Sequence, residues 1–163
     1  HHSRASDPCF DQHPLTTMAT LLEKFTAWTG MEPASKSPIA EMIVKSTDPL
    51  LMGPDWASNL EVADLVNTYE SEGAKEAIKC LRKRLVMERK AQLLALTLLE
   101  SLMKNCHDSF HVEVASKEFM ADLCKVATQR KTDTDVAQQI LDLCAGWAAE
   151  YGSHPLLGNF ARA

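Results

Sequence analysis

The chain has 163 residues, of which 45% are apolar and 24% are charged, and its 22 acidic and 17 basic side chains give a formal net charge of -5. A single domain of this length buries about 70% of its unfolded surface, so folding needs no disulfide or metal. The five cysteines are widely spaced without a C-x-x-C pair, which argues against a disulfide framework or a zinc finger and favours a reducing, cytoplasmic setting. The acidic balance argues against general nucleic-acid binding.

The N-terminal region differs in character from the rest of the chain. Its two leading histidines are typical of a purification tag, and residues 1–13 are expected to be flexible. Leu15 to Trp28 is amphipathic, which predicts a helical extension and linker within residues 14–35. Only one basic residue, Lys24, lies in that helix, so packing on the protein is favoured over a membrane surface. No apolar run of about 18 residues occurs, so neither a membrane span nor a signal peptide is expected.

Proline is absent between Pro54 and Pro155, an interval that holds only three glycines. Helix interiors reject proline, so this interval predicts helix after helix. The expected helices are 38–47 with Ser37 as N-cap and Pro38 first, a second from Trp56 with Asp55 as cap, then 71–85, 89–106, 109–115, 117–129, 135–151 and a short one after Pro155. No alternating strand pattern occurs, and the predicted fold class is all-α.

The predicted fourth helix is apolar around most of its circumference. Its apolar residues are Leu93, Leu94, Leu96, Leu98, Leu99, Leu102 and Met103, and its narrow polar stripe is Thr97, Glu100, Ser101 and Lys104. A helix with this pattern belongs in the middle of a bundle, because few of its sides tolerate water.

Two apolar residues of the predicted second helix lie off its core side. The core side is formed by Val62, Leu65, Val66 and Tyr69. At about 100° of turn per residue, Trp56 and Leu60 point roughly 150° away from it. One interpretation is that Trp56 packs at the helix start and Leu60 is a scattered surface residue. The other is a small binding patch with acidic neighbours, which are Asp55, Glu61 and Asp64.

Four segments in this order resemble the VHS domain family. They are GPDWASNLEV at 53–62, KAQLLALTLLE at 90–100, KNC and FHVEV within 104–114, and GWA at 146–148. The resemblance covers residues 36–163 as the VHS domain and is nearest to target-of-Myb-like adaptors, beside the Hrs, STAM and GGA branches. It implies a right-handed superhelix of about eight helices, similar to ENTH domains, with no catalysis and no cofactor. It also implies an adaptor at the cytoplasmic face of endosomal or Golgi membranes.

The resemblance further implies a weak ubiquitin-binding site. Trp56 and Leu60 match the positions through which family members contact ubiquitin, whose apolar patch is ringed by basic groups. Asp64 suits that basic rim, so Trp56, Leu60 and Asp64 are the candidate contacts. The GGA branch binds acidic dileucine signals through a basic stretch at the start of the sixth helix. Glu118 stands there in place of arginine, so like charge disfavours such peptides.

The alternative function rests on one dense basic cluster, which consists of Lys79, Arg82, Lys83, Arg84, Arg89 and Lys90. It is either a solvated helix face or a contact with a phosphoinositide membrane surface, where each basic group contributes about 1 kcal/mol. A third hypothesis is a superhelix that binds phosphorylated polymerase tails, for which no basic phosphate ligands are identified.

No metal or catalytic site is predicted. Cys106, His107, Asp108 and His111 are metal-ligand types, but Asp108 is expected to cap the fifth helix and His111 to be a hydrogen-bonded structural histidine. The chain has no nucleophile elbow, P-loop or dinucleotide-binding glycine motif. The helical cysteines are expected to act as buried small hydrophobes.

Overall fold

The computed structural model describes residues 37–160, which form seven α-helices and no strand. The helices are α1 Pro38–Ser46, α2 Trp56–Thr68, α3 Glu70–Arg84, α4 Arg89–Asn105, α5 Asp108–Val114, α6 Lys117–Thr128 and α7 Thr134–Tyr151. The predicted all-α class is confirmed, and each predicted helix between residues 38 and 151 is present within one or two residues of its expected ends. The predicted N-terminal extension lies outside the described residues.

Capping side chains explain several of the helix starts. The Asp55 carboxylate accepts from the Ser58 backbone N–H at 3.1 Å and from the Ser58 hydroxyl at 2.6 Å, which fixes the first turn of α2. Ser116 accepts from the Phe119 N–H at 3.3 Å at the start of α6. The predicted cap of α5 is wrong by one residue. His107 is the N-cap, and Asp108 is the first helical residue, where its charge suits the positive end of the helix.

The core is built around α4, which packs against α1, α2, α3, α5 and α7. Six of its seven predicted core residues are buried, and Leu93 is partly buried against the same cluster. Ser101 from the polar stripe is also buried. The all-round apolar pattern therefore predicted the position of this helix correctly.

The chain turns sharply at the junction between α2 and α3, although the two helices nearly adjoin in the sequence. Glu70 has a φ of 49°, in the left-handed region that non-glycine residues seldom adopt. Tyr69 was predicted on the core side of α2 but is exposed, because it occupies this break. One turn into α3, Gly73 lies against the end of α2. A Cβ built on Gly73 meets the Val66 carbonyl oxygen at 2.6 Å.

Within the described residues no α-helix follows Pro155, and the predicted final helix extends beyond them. Residues 152–159 form turns closed by a backbone hydrogen bond from Leu157 to His154, and Phe160, whose N–H bonds to the Leu157 carbonyl, has 3₁₀-helical conformation. Pro155 has no N–H to donate, and Gly152 and Gly158 disfavour a helix on either side of it. The segment still contributes to the core, since the Phe160 ring lies 5.6 Å from the ring of Trp147.

Gly73→Ala is expected to destabilise the domain by about 1–3 kcal/mol, because the clash is with a backbone atom that cannot rotate away. The clash outweighs the helix-propensity gain of roughly 1 kcal/mol. Gly146→Ala is the matched control, since a Cβ there meets nothing within 4 Å, and it should leave stability unchanged or raise it. Urea unfolding measures both free energies. Equal changes in the free energy of unfolding of the two variants would contradict the close approach of α2 and α3.

The Asp55 cap should make stability depend on pH. The side-chain and backbone hydrogen bonds from Ser58 hold the pKa of Asp55 below its usual 3.8. A lowered folded-state pKa stabilises the protein above about pH 4, and this contribution is lost as the pH falls through the folded-state value. Asp55→Ala should therefore lower the Tm at neutral pH, with a smaller difference at about pH 3. Asp55→Asn is the control that keeps a cap without the charge. If the Tm difference between Asp55→Ala and the parent protein did not depend on pH, this role of the carboxylate would be contradicted.

Candidate functional site

Trp56 and Leu60 lie side by side on the exposed face of α2. Their exposed fractions are 60% and 50%, whereas Val62, Ala63 and Val66 of the same helix are buried. One helical turn separates the two side chains, so they form a continuous apolar patch. The structure thus places both outside the core, as the spacing predicted.

The patch forms one wall of a groove between α2 and α4, called here the α2–α4 groove. The other wall is the polar stripe of α4 with the residue that ends the helix, and its members are Thr97, Glu100, Ser101, Lys104 and Asn105. The groove has a volume of about 320 Å³. Lys104 Nζ lies 2.6 Å from Glu100 Oε1, so these two charges are already paired on its rim. The groove therefore combines an apolar wall with a neutralised polar wall.

Asn67 holds the two walls in place. Its Nδ2 donates to the Asn105 carbonyl at 3.0 Å, and its Oδ1 accepts from the His107 N–H at 3.0 Å. These two bonds tie the last turn of α2 to the end of α4 and satisfy backbone groups that the helix end leaves without partners. Asn67 was not singled out in the sequence, because a single polar residue on a helix carries no sign of such a distant partner.

The acidic neighbours lie along α2 and not in the groove itself. Glu61 and Asp64 are exposed, and Asp64 lies one turn beyond Leu60 on the same side of the helix. Asp64 does not line the groove with Trp56 and Leu60. Asp55 is partly withdrawn from solvent as the helix cap. The apolar patch is thus flanked by carboxylates on one side and by α4 on the other.

Two exposed apolar residues precede the patch and were not identified from the sequence. Leu50 and Met52 are exposed in the α1–α2 loop, where Asp48 Oδ1 accepts from the Leu50 N–H at 2.8 Å. The sequence signal for them is an apolar run, LLM, between Pro49 and the Gly53–Pro54 turn. The polar stripe of α4 was recognised, but its position opposite Trp56 depends on how α2 packs on α4.

The basic cluster divides into bonded and unbonded residues. Arg84 donates from Nε to Thr47 Oγ1 at 2.7 Å and from Nη2 to the Thr47 carbonyl at 2.6 Å, which joins α3 to the end of α1. Arg82 is paired with Asp122 of α6 at 2.6 Å. Arg89 is paired with Asp135 of α7. The lysines Lys79, Lys83 and Lys90 are exposed, and no ion pair to them occurs within residues 37–160.

The grouping around His111 is structural. Its Nε2 lies 2.8 Å from the Met103 carbonyl oxygen, and its ring centroid is 5.1 Å from that of Tyr151. No cluster of metal-ligating side chains occurs in the described part of the chain. Burial raises the pKa of the Cys106 thiol to about 12 and that of Cys80 to about 11. Both thiols therefore stay protonated and unreactive at neutral pH.

Arg84 is thus a structural residue in the centre of the predicted ligand cluster. Arg84→Gln should destabilise the domain by about 1–3 kcal/mol, because it leaves the buried Thr47 carbonyl without its donor. Lys83→Gln, one residue away and exposed, should change the free energy of unfolding by less than about 0.5 kcal/mol. Urea denaturation compares them. Equal stabilities would show that the Arg84 contacts contribute nothing and leave Arg84 available to a ligand.

None of the helices within residues 37–160 is long and apolar enough to cross a membrane. Residues 33–161 match the family described as VHS domain. The chain is 41% identical to TOM1-like protein 6 of Arabidopsis thaliana over 121 residues, which are 73% of this chain and 18% of that protein. It is 36% identical to the target of Myb1 membrane trafficking protein of Mus musculus over 123 residues, which are 73% of this chain and 25% of that protein.

A solved structure gives the same fold. It contains the VHS and FYVE tandem domains of Hrs, described as a protein involved in membrane trafficking and signal transduction. The match has a TM-score of 0.68 at 24% identity and covers 78% of this chain and 60% of that one. At this identity the likeness shows the helical superhelix alone. The chain spans only a quarter or less of the length of the two relatives named above. From the match over residues 33–161 and these identities, the chain belongs to the VHS domain family, whose members are non-catalytic modules.

Proposed function

We propose that this domain recognises ubiquitin on sorted cargo through the α2–α4 groove. The observation that carries the proposal is the exposure of Trp56 and Leu60 together at one wall of that groove. An isolated exposed apolar residue needs no explanation, but a tryptophan and a leucine one turn apart beside a groove form an anchor of the kind found at interfaces.

Charge complementarity supports the same partner. Ubiquitin presents an apolar patch ringed by basic groups, and the patch on α2 is flanked by the exposed carboxylates of Glu61 and Asp64. The Lys104 ammonium on the opposite wall is paired with Glu100, which reduces its repulsion toward a basic rim. The candidate contacts are therefore Trp56 and Leu60 for the apolar patch and Asp64 for the rim.

The affinity should be low, because a groove of this size buries less area than a stable protein–protein interface requires. Weak contacts of this kind become effective when several act together on one membrane or one polyubiquitinated cargo. The relative in Mus musculus is named a membrane trafficking protein. In the proposed role the domain is therefore one module of a larger adaptor, cytoplasmic and peripheral to endosomal or Golgi membranes.

Docking on a phosphoinositide surface through the basic cluster is the weaker candidate. Arg84 is bound to Thr47, and Arg82 and Arg89 are neutralised by aspartates from other helices. Three exposed lysines are left for anionic headgroups, at about 1 kcal/mol each when close to the surface. That number of basic groups gives marginal binding compared with the clusters of 4–8 typical of lipid-binding segments.

Titration of isotope-labelled protein with monoubiquitin tests the proposal by NMR. Amide resonances of α2 and of the polar stripe of α4 should shift at millimolar ubiquitin. Trp56→Ala should weaken binding at least about tenfold, with a smaller loss for Leu60→Ala and for Asp64→Lys. All three sites are exposed, so the variants should remain folded.

Leu141→Ala is the matched control, because Leu141 is a leucine of similar exposure, 57%, on α7. It should bind ubiquitin like the parent protein. The proposal is overturned if millimolar ubiquitin leaves the spectrum unchanged. It is also overturned if Trp56→Ala and Leu141→Ala bind equally well.

A further inference from the structure

A second groove lies on another part of the domain, between α3 and the α5–α6 junction, and is called here the α3–α6 groove. It has a volume of about 490 Å³ and a floor formed by Ile78 and Phe119. Four cations stand on the α3 wall, and Glu113 and Glu118 stand on the opposite wall. Of the four, Lys75 is paired with Glu72 and Arg82 with Asp122, which leaves Lys79 and Lys83. None of the residues that form the α2–α4 groove takes part in it.

The opposing charges face each other without contact. Across the described part of the chain, no ion pair joins Lys79 or Lys83 to Glu113 or Glu118, although each pair of charges lines the same groove. The nearby Arg82–Asp122 pair, at 2.6 Å, shows that α3 and α6 approach closely enough for contact at one end. Lys79, Lys83 and Glu118 are exposed and Glu113 is half-buried, so these charges line the groove without neutralising one another directly. Glu113 also attracts the Lys75 ammonium and helps to raise the pKa of that group.

A ligand for such a groove must carry both signs of charge. A polyanion such as a nucleic acid or a flat anionic membrane would gain from the lysines but would be repelled by Glu113 and Glu118 on the facing wall. An extended peptide satisfies both walls, because its successive side chains point in opposite directions.

The spacing of the lysines sets the ligand pattern. Lys79 and Lys83 are four residues apart on a helix, which separates them by about 6 Å along the axis. Side chains two residues apart in an extended peptide are separated by roughly 6.6–6.8 Å and point the same way. Acidic residues at positions i and i+2 therefore match the two lysines, and basic residues at the intervening positions face the glutamates.

We propose that the α3–α6 groove binds an extended peptide segment of alternating charge, whose acidic side chains contact Lys79 and Lys83 and whose basic side chains contact Glu113 and Glu118. The lysine stems cover part of the apolar floor and keep their ammonium groups at the rim. Binding is weak and sensitive to salt, because each exposed ion pair contributes at most about 1 kcal/mol.

The test uses two synthetic peptides of identical composition, one with alternating Glu and Lys and one with the same residues in two blocks. Each is titrated into the full isotope-labelled chain at low salt. The alternating peptide should shift amides around Lys79, Lys83 and Glu118, and the block peptide should bind several-fold more weakly. Equal binding of the two peptides, or no shift at several millimolar, overturns the proposal.

Variants with reversed charges in the groove provide a second test of the peptide site. Lys79→Glu with Lys83→Glu should weaken the alternating peptide about tenfold, as expected from the loss of two exposed ion pairs. Adding Glu113→Lys and Glu118→Lys should restore binding, because an alternating peptide fits the reversed groove when shifted by one residue. Lys131→Glu, an exposed cation outside the groove, is the control and should have no effect.

A parallel sedimentation assay uses phosphatidylcholine–phosphatidylserine vesicles. Vesicle binding that requires Lys79 and Lys83 in a protein that ignores the alternating peptide would identify a membrane surface and overturn the peptide site. The peptide site is also overturned if adding Glu113→Lys and Glu118→Lys does not restore binding, provided that circular dichroism shows the variants to be folded. Neither result bears on ubiquitin, which the α2–α4 groove is proposed to bind.

Discussion

The burial of α4 is the constraint on which the rest of the structure depends. Seven large apolar side chains spread around one helix cannot be covered by a single neighbour, so five other helices pack against it. At about 1.5–3 kcal/mol for each fully buried side chain, this helix supplies a large share of the hydrophobic stabilisation. Beyond its first turn, the helix meets solvent mainly through Thr97, Glu100 and Lys104 of the polar stripe, and that stripe is where the α2–α4 groove forms.

The position of α2 follows from the same constraint. Val62 and Val66 are buried on the core side of α2, which turns Trp56 and Leu60 toward the edge of the α4 stripe. Asn67 then fixes the distance between the two helices by bonding to both the Asn105 carbonyl and the His107 N–H. A tryptophan beside a rigid groove loses little side-chain freedom when a partner binds, which favours recognition even over a small area. The proposed ubiquitin site is thus a consequence of how the core is packed.

Surface charge is distributed by the same packing. Although the net charge is -5, the charges are separated into an acidic flank on α2 and a basic face on α3. Part of the basic face serves the fold, since Arg84 joins α3 to α1 and Arg82 joins α3 to α6. The cations of the cluster that have no ion pair within residues 37–160 are lysines, and Lys79 and Lys83 line a groove opposite glutamates. Charge clusters in the sequence therefore separate into structural and available groups only when the neighbouring helices are known.

The helices were predicted well because they depend on patterns of neighbouring residues. The features that the sequence did not predict depend on contacts between residues far apart in the chain. Three features depend on residues close together in the chain and can be read directly from the sequence. They are the cap at Asp55, the break at Asp48–Pro49 and the apolar circumference of α4. The exposure of Tyr69 depends on a left-handed residue at Glu70 that no composition rule indicates. The bond from Arg84 to Thr47 spans 37 residues, and an isolated arginine in a basic run gives no sign of it. The resemblance identified Trp56 and Leu60, but the facing wall on α4 required the packed helices.

Cross-saturation transfer from ubiquitin to the perdeuterated domain tests the central claim most directly, because it reports proximity and not an indirect change in chemical shift. We expect the largest signal losses on amides of α2 around Trp56 and Leu60 and on the α4 stripe around Ser101, with none on α3. Losses that are strongest at Lys79 and Lys83, or spread evenly over the surface, would contradict a ubiquitin site in the α2–α4 groove.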